Sequence, residues 1–424
     1  MKKNLLFTIV FILCLGSLSL FSCNDDDSTQ SKDDKYSDRS YGQEAISSCQ
    51  ELNNALISAN DIIGKGKLTE SQSAELRIVI SNVVDNVIIP TYKNLADDAI
   101  ELQNALNNLN LDNISQTDID KACAAFKKAR QHWERSESFL MGPASDFDVD
   151  PTIDSWPLNR SLLIDYLSSG STDFTEEMLE DASIRGFHAL EFVLFRNGKN
   201  RNVNELSGYD TYKGFEKITG ASELAYAQRI CELLVERTFQ LQVSWEGSNA
   251  SNASRVAKLK AAGLNYLTSK GYSYGENIKN AGDKSKSTFS TLKEAIAQIL
   301  SYDEGSCAAI TDEVGSAKIA NPFSAGYVFY VESPFSYNSI TDFVDNIKSV
   351  RNIWLGSLDG TVSEHSFSKF FKDNATVEGK SVEKAYEKAI EKVGDMPAPF
   401  VKYVSTIWKL PYEDDSRTGD DIEE

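Results

Sequence analysis

Between Ile78 and Leu109 apolar residues return at the spacing of an α-helix for about nine turns. They are Ile78, Val83, Val84, Val87, Ile88, Tyr92, Leu95, Ala99, Leu102, Leu106 and Leu109. A helix with one apolar stripe must bury it against a neighbouring layer, and a stripe this long points to a helical bundle. Thr69-Glu70-Ser71-Gln72 is a capping box that opens this segment. Pro90 predicts a kink or a split, because proline removes a donor and crowds the preceding turn.

The rest of the body repeats the pattern. Helices are expected over about 43–63, 117–140 (Ala122, Ala125, Ala129 and Trp133 on one face, stopped by Gly142-Pro143), 155–167 and 175–195. Others are expected over 214–244, 255–269, 285–301, 340–355 and 382–409. Only Tyr327 to Val331 reads as a strand. The Gly247 to Ser254 stretch, rich in serine and asparagine, reads as a linker or an inter-helix loop. Long runs with only 24 glycines and 9 prolines in 424 residues make the fold all-α.

The amino terminus has the order of an export signal: Lys2 and Lys3, then an apolar run from Leu5 to Leu20 too short for a stable span. Leu20-Phe21-Ser22-Cys23 resembles a lipobox, which implies lipid on Cys23 and cleavage before it; Phe21 is bulkier than usual there. Two acyl chains anchor a protein stably where one does not. The alternative is an ordinary secretory signal with an incidental cysteine. The acidic Asn24-Asp25-Asp26-Asp27 run opens a polar tether to about Ser40 without apolar periodicity. That run resembles the surface-export signal of Bacteroidetes lipoproteins, so the expected location is the outer membrane, with surface exposure favoured over the alternative that the acids only solvate the tether.

A net charge of −20 argues against nucleic acid and anionic lipid surfaces and is compatible with cations. Cys49, Cys123, Cys231 and Cys307 are too scattered for a thiolate zinc cage and read as disulfide partners or buried thiols. Ala129-Arg130-Gln131-His132-Trp133 can be laid on Val350-Arg351-Asn352-Ile353-Trp354, which is either a chance likeness of two amphipathic helices or a sign of two related bundles. Trp133 and Trp354 read as core anchors. Arg130 and Arg351 are candidates to line an interface, paired with carboxylates.

The constellation that carries chemistry is Gly186-Phe187-His188-Ala189-Leu190-Glu191, in a chain with three histidines. Residues three apart on a helix lie about 60° from one another, so His188 and Glu191 share a face. The pair can bind a metal, hold a proton or hydrogen-bond internally. Gly186, lacking a Cβ, lets a backbone or ligand approach closely. The H-E-x-x-H template fails because position 192 is Phe, and a four-ligand di-iron set is not present. A metal needs a further ligand from elsewhere, and Glu137 is the first candidate. Asp146 to Asp150 opens like a calcium loop, but Pro151 and Pro157 stand at the positions of its glycine and glutamate. His132 and His365 read as surface residues.

Gly-x-His-x-x-Glu resembles the signature of the imelysin-like family. Other segments are similar to that family as well: Ile88 to Tyr92, Arg130-Gln131-His132-Trp133 through Glu137 to Gly142-Pro143, Trp156-Pro157-Leu158, and Ser333-Pro334-Phe335-Ser336 leading to Asp342 and Arg351. The resemblance implies two similar four-helix-bundle domains with a site at their interface, in a family once classed as metallopeptidases and now linked to iron uptake. With the residue pattern it gives an expected organisation of 1–22 signal, 23–40 tether, 41–246 first bundle, 253–412 second bundle and 413–424 acidic tail. The expected function is a membrane-anchored binding lipoprotein that handles iron or another divalent metal through His188 and Glu191, alongside uptake-system proteins. Gly186, Glu137, Arg130 and Arg351 would complete the site. A zinc peptidase, or a protein- or glycan-binding module with a structural His–Glu pair, are the alternatives.

Overall fold

The computed structural model describes residues 36–404, apart from 213, 325, 326, 328, 329 and 375. The signal, Cys23, most of the tether and the 413–424 tail lie outside the described residues. Among those described, no helix is long and apolar enough to cross a membrane. The fold is all-α; its one described ladder pairs Phe195–Arg196 with Lys199–Asn200. Tyr327, Tyr330 and Val331, in the segment expected as a strand, carry none.

The long stripe folds as expected with one refinement. Glu70–Val83 opens on the Thr69–Gln72 capping box, widens into a π turn over Val84–Ile88, and continues as Ile89–Asn107. The widened turn lies where the ring of Pro90 would crowd the carbonyl of Asn86, so the helix swells instead of breaking. A second π turn, Val314–Ile319, precedes Pro322 for the same reason.

Two layers of helices share one continuous core. In the first, Ile89–Asn107 packs against Gln116–Glu134 and Gly220–Glu246, with the short helix Phe187–Leu194 laid on the latter two. In the second, Ser40–Lys65 packs against Glu378–Gly394 and Cys307–Glu313, and Ser339–Leu355 packs against both of these. Ser339–Leu355 also touches Gln116–Glu134, joining the layers. The division at 41–246 and 253–412 therefore does not follow the packing. Ser40–Lys65, the first described helix, sits with Cys307–Glu313, Ser339–Leu355 and Glu378–Gly394, and the described residues from Tyr36 to Val404 form one compact unit. The Gly247 to Asn252 stretch is an inter-helix turn within it, and Ala253 and Ser254 already begin the next helix.

The last tether residues are held to the body. Tyr36 Oη donates to the Ala398 carbonyl at 2.7 Å, and Arg39 donates to the carbonyls of Tyr403 (2.7 Å) and Phe323 (2.6 Å). Thus 36–40 is not loose chain, as expected of the tether, but a docked lead into the first helix. The four cysteines are buried free thiols, and burial pushes Cys49 and Cys123 up to about 12.

The expected helix over 175–195 is the largest local misreading. Asp181 accepts from the Ser183 amide and closes a turn, and the chain runs through two 3₁₀ turns, Glu177–Leu179 and Ala182–Ile184. A helix forms only from Phe187, because Gly186 has φ 84° and ψ −159°. That region is closed to residues with a Cβ.

Candidate functional site

The two layers meet around Arg130, which is 1% exposed. It leaves the buried face of Gln116–Glu134, a helix capped by Ser115 and packed through Ile119, Ala122, Phe126, Ala129 and Trp133. Its guanidinium pairs with Glu134 at 2.6 Å one turn on, with Glu332 at 2.7 Å, and with Asp154. Asp342 lies 3.9 Å from its Nε. Lys318, turned inward by the π turn, reaches Glu332 at 3.2 Å and Glu313 at 3.9 Å.

His188 is clamped between carboxylates from both sides. Its Nε2 is 3.2 Å from Asp154 Oδ1, and its Nδ1 is 3.5 Å from Glu191 Oε2. The Trp156 ring lies against the imidazole at 4.5 Å. Asp154 is fixed in turn by the Trp133 indole N–H at 2.6 Å. Glu191 Oε1 accepts from the amides of Phe335 (3.1 Å) and Ser336 (2.8 Å) and from the Ser336 hydroxyl (2.7 Å). Glu191 therefore stands behind the imidazole and ties the motif helix to the Ser333–Ser336 turn. Gly186 makes the approach possible: a Cβ there would lie 2.3 Å from the Ile153 carbonyl oxygen, immediately before Asp154.

Of the residues expected at the site, Arg130, Glu137, Gly186, His188 and Glu191 converge; Arg351 does not. Asp342 and Arg351 are nine positions apart on Ser339–Leu355, about two and a half turns, so they face opposite sides. Arg351 donates to Asn352 at 3.0 Å on a half-exposed face. The repeat thus preserves the tryptophans and not the arginines: Trp133 stacks on Phe187 and Trp354 on Phe367 and Phe371, both fully buried. His132 is not free on the surface; its Nδ1 is 2.7 Å from Asp98. His365 is exposed as expected. Asp146 and Asp150 lie at two short helices, Pro143–Asp146 and Val149–Ile153, and do not form a calcium loop.

Asp154, Glu134, Glu332, Lys318 and Asp342 complete the cluster and were missed as site residues. Three had a signal: Glu134 lies one helical turn from Arg130, Pro322 marks the turn that re-aims Lys318, and Asp342 stands in the carboxyl-half segment of the resemblance. Asp154 and Glu332 come from irregular segments, where spacing says nothing about direction.

Six carboxylates (Glu134, Glu137, Asp154, Glu191, Glu332, Asp342) thus surround three basic groups (Arg130, His188, Lys318), all with nearly buried side chains. Water cannot solvate this surplus, so charge and proton must be shared out. Burial and Arg130 oppose charge on His188, but Asp154 and Glu191 outweigh them and hold the imidazolium above its ordinary range. Burial would raise Asp154, yet Arg130 and His188 keep it far below the usual carboxylate range. Burial drives Glu134 and Glu137 well above theirs. Burial likewise pushes Asp342, and Asp150 nearby, up to about 7. Two sets of donors are close enough to hold an ion: Asp154, His188 and Glu332, and Glu134, Glu137 and Asp154, each with ligand atoms within 4.8 Å of one another.

An all-helical protein with a carboxylate-rich cluster built on Gly-x-His-x-x-Glu is the class these features define. The sequence model of the Imelysin family matches residues 88–412, and the chain belongs to that family. It is similar to the "Iron-regulated protein A" of Synechococcus elongatus, 23% identical over 335 residues that cover 78% of each chain. A crystal structure from Parabacteroides distasonis, assigned as an iron-regulated protein A precursor, superposes with a TM-score of 0.57 at 25% identity, covering 80% of this chain and 97% of that one. An imelysin-like protein of Psychrobacter arcticus gives a TM-score of 0.46 at 12% identity, covering 79% and 97%.

Proposed function

We propose that this chain serves an iron-related process by binding a divalent metal ion, iron foremost, at His188, Asp154 and Glu332. The carrying observation is the surplus of buried carboxylates around an imidazole whose Nε2 faces Asp154 while Glu191 backs its Nδ1. That is the arrangement in which an outer carboxylate orients a metal-ligating histidine. Glu191, expected as a ligand, is read here as that orienting group. The donors fit: imidazole with carboxylate suits iron or zinc, and three protein ligands leave positions open. Arg130 already contacts two of these carboxylates, but each has about four lone-pair sites and can serve a guanidinium and a cation together. The name of the Synechococcus relative supports the iron connection.

The peptidase reading finds less support. A general base needs a free oxygen aimed at water, and the oxygens of Glu191 are committed to the Ser336 turn and to His188. The lipid on Cys23 belongs to the proposal too, and places the binding body outside the cytoplasm, near uptake-system proteins. Fatty-acid labelling of wild type and Cys23→Ala tests it: label retained without Cys23 would rule out that anchor.

Elemental analysis of purified protein after dialysis against ferrous iron or zinc tests the site. Wild type should retain metal, and His188→Ala and Asp154→Asn should lose most of it. Equal metal in all three would end the proposal.

A further inference from the structure

We propose that the cluster holds a second cation in an all-oxygen subsite made by Glu134, Glu137 and Asp154, with Asp154 bridging the two ions. The inference rests on the metal-binding reading of the His188 subsite and extends it.

The observation that singles out this subsite is Glu137. Its side chain is nearly buried, at 6% exposure. The other carboxylates of the cluster have hydrogen-bonding or ionic partners: Glu134 has Arg130 and Asn346, Glu332 has Arg130 and Lys318, and Asp342 has Ser333 and Asn338. Among the described residues the Glu137 carboxylate has no hydrogen bond and no ion pair, because the Lys318 ammonium is turned toward Glu332 and Glu313. A buried carboxylate without a partner is unfavourable unless a proton or a cation neutralises it.

The backbone gives Glu137 no escape. After Gln116–Glu134 ends, the Ser136 amide and hydroxyl both donate to the Trp133 carbonyl at 2.7 Å. The Phe139 amide donates back to Ser136 at 2.9 Å, and the Ser138 amide is held by the Ser349 hydroxyl at 3.1 Å. This locked 3₁₀ turn fixes Glu137 beside Glu134 and Asp154, with one donor oxygen from each within 4.8 Å. Oxygens on opposite sides of one cation are about 4–5 Å apart at ordinary metal–oxygen lengths, so the set can close around an ion without moving its backbone.

The two subsites differ in chemistry. The first offers an imidazole and accepts borderline metals such as zinc and ferrous iron. The second offers carboxylate oxygens only, which select hard cations of the manganese, magnesium and calcium kind. Asp154 belongs to both sets, so loading one ion changes the charge seen by the other.

The test is stoichiometry on the chelator-stripped full chain, using Mn²⁺ and Zn²⁺ as probes. Wild type is expected to hold two Mn²⁺ per chain, with an electron paramagnetic resonance spectrum broadened by a neighbouring ion, and to hold Zn²⁺ tightly at one site. Glu137→Gln, close to isosteric, should bind one Mn²⁺ with a sharp isolated six-line spectrum and should keep its tight Zn²⁺. One Mn²⁺ per chain in wild type, or two retained in Glu137→Gln, overturns the second subsite and leaves the first standing. Wild type that holds neither metal overturns the underlying reading instead. Because wild-type stoichiometry alone decides, a variant that fails to fold does not shelter the proposal.

Discussion

Gly186 and Ile153 are in backbone contact so close that any side chain at 186 would collide with the carbonyl of 153. The contact sets Asp154 against His188, which makes a glycine the joint between a loop and the motif helix. Gly186→Ala meets both the collision and a positive φ, and an L-residue in such a region costs about 1–3 kcal/mol before sterics are counted. The variant should melt several degrees lower and bind metal more weakly. Unchanged melting and unchanged affinity would show that the joint is not needed.

Glu191→Gln tests whether this residue orients His188. The amide keeps the shape but loses the charge that faces the imidazole and accepts from Phe335 and Ser336. Loss of an outer carboxylate of this kind lowers metal affinity by about 10–100-fold, and its weakened buried hydrogen bonds cost about 1–3 kcal/mol. Titration calorimetry with zinc measures the first effect and thermal denaturation the second. A complete loss of binding with normal stability would instead assign Glu191 as a direct ligand.

Stability of the metal-free protein should fall as pH rises from 5 to 8. The folded-state value of His188 is raised, so its contribution is complete below the unfolded value and is lost as pH climbs through the folded one. Asp150 and Asp342 are raised to about 7, so the fold binds protons that the unfolded chain releases near pH 4. Their contribution is lost in the same direction. Asp154, held low, acts oppositely but only in strong acid. Melting temperatures across this range check the sign; a rise toward pH 8 would contradict the protonated, charge-sharing cluster.

Arg130→Met removes the guanidinium shared by Glu134, Asp154 and Glu332. Breaking a buried ionic network from one side typically costs about 3–5 kcal/mol. If the carboxylates are cation ligands, a divalent metal should substitute for the lost charge, and metal at a hundred times its Kd restores about 2.7 kcal/mol. The expected result is a low-melting variant that millimolar Mn²⁺ rescues more than it helps wild type. Equal shifts in both would deny the exchange.

The helices were legible because burial repeats along them: the Ile78 to Leu109 stripe and the Thr69 cap are local patterns with local causes. Gly186, His188 and Glu191 were legible as a motif, and Arg130 and Glu137 as neighbours in the same resemblance. Lys318 left a local mark, the Pro322 that follows its π turn, which does not by itself point to a site; Asp154 and Glu332 left none, because an indole and a guanidinium from another segment set their direction. Arg351 misled because similarity to the Arg130 segment does not fix which face of a helix meets the other layer. The pairing of Ser40–Lys65 with Glu378–Gly394 also leaves no mark on either helix alone, since any two apolar stripes of matching length could have met.

Arg39 holds the carbonyls of Phe323 and Tyr403, and Tyr36 holds that of Ala398. The body is therefore a loop already closed by contacts, and its covalent order is one of several ways to cut a ring. Joining residue 404 to residue 36 and opening the exposed turn at Ser248 to Ser251 would change where synthesis begins without separating any pair of site residues. The site belongs to the circle of packed helices, and a gene could start that circle at more than one point.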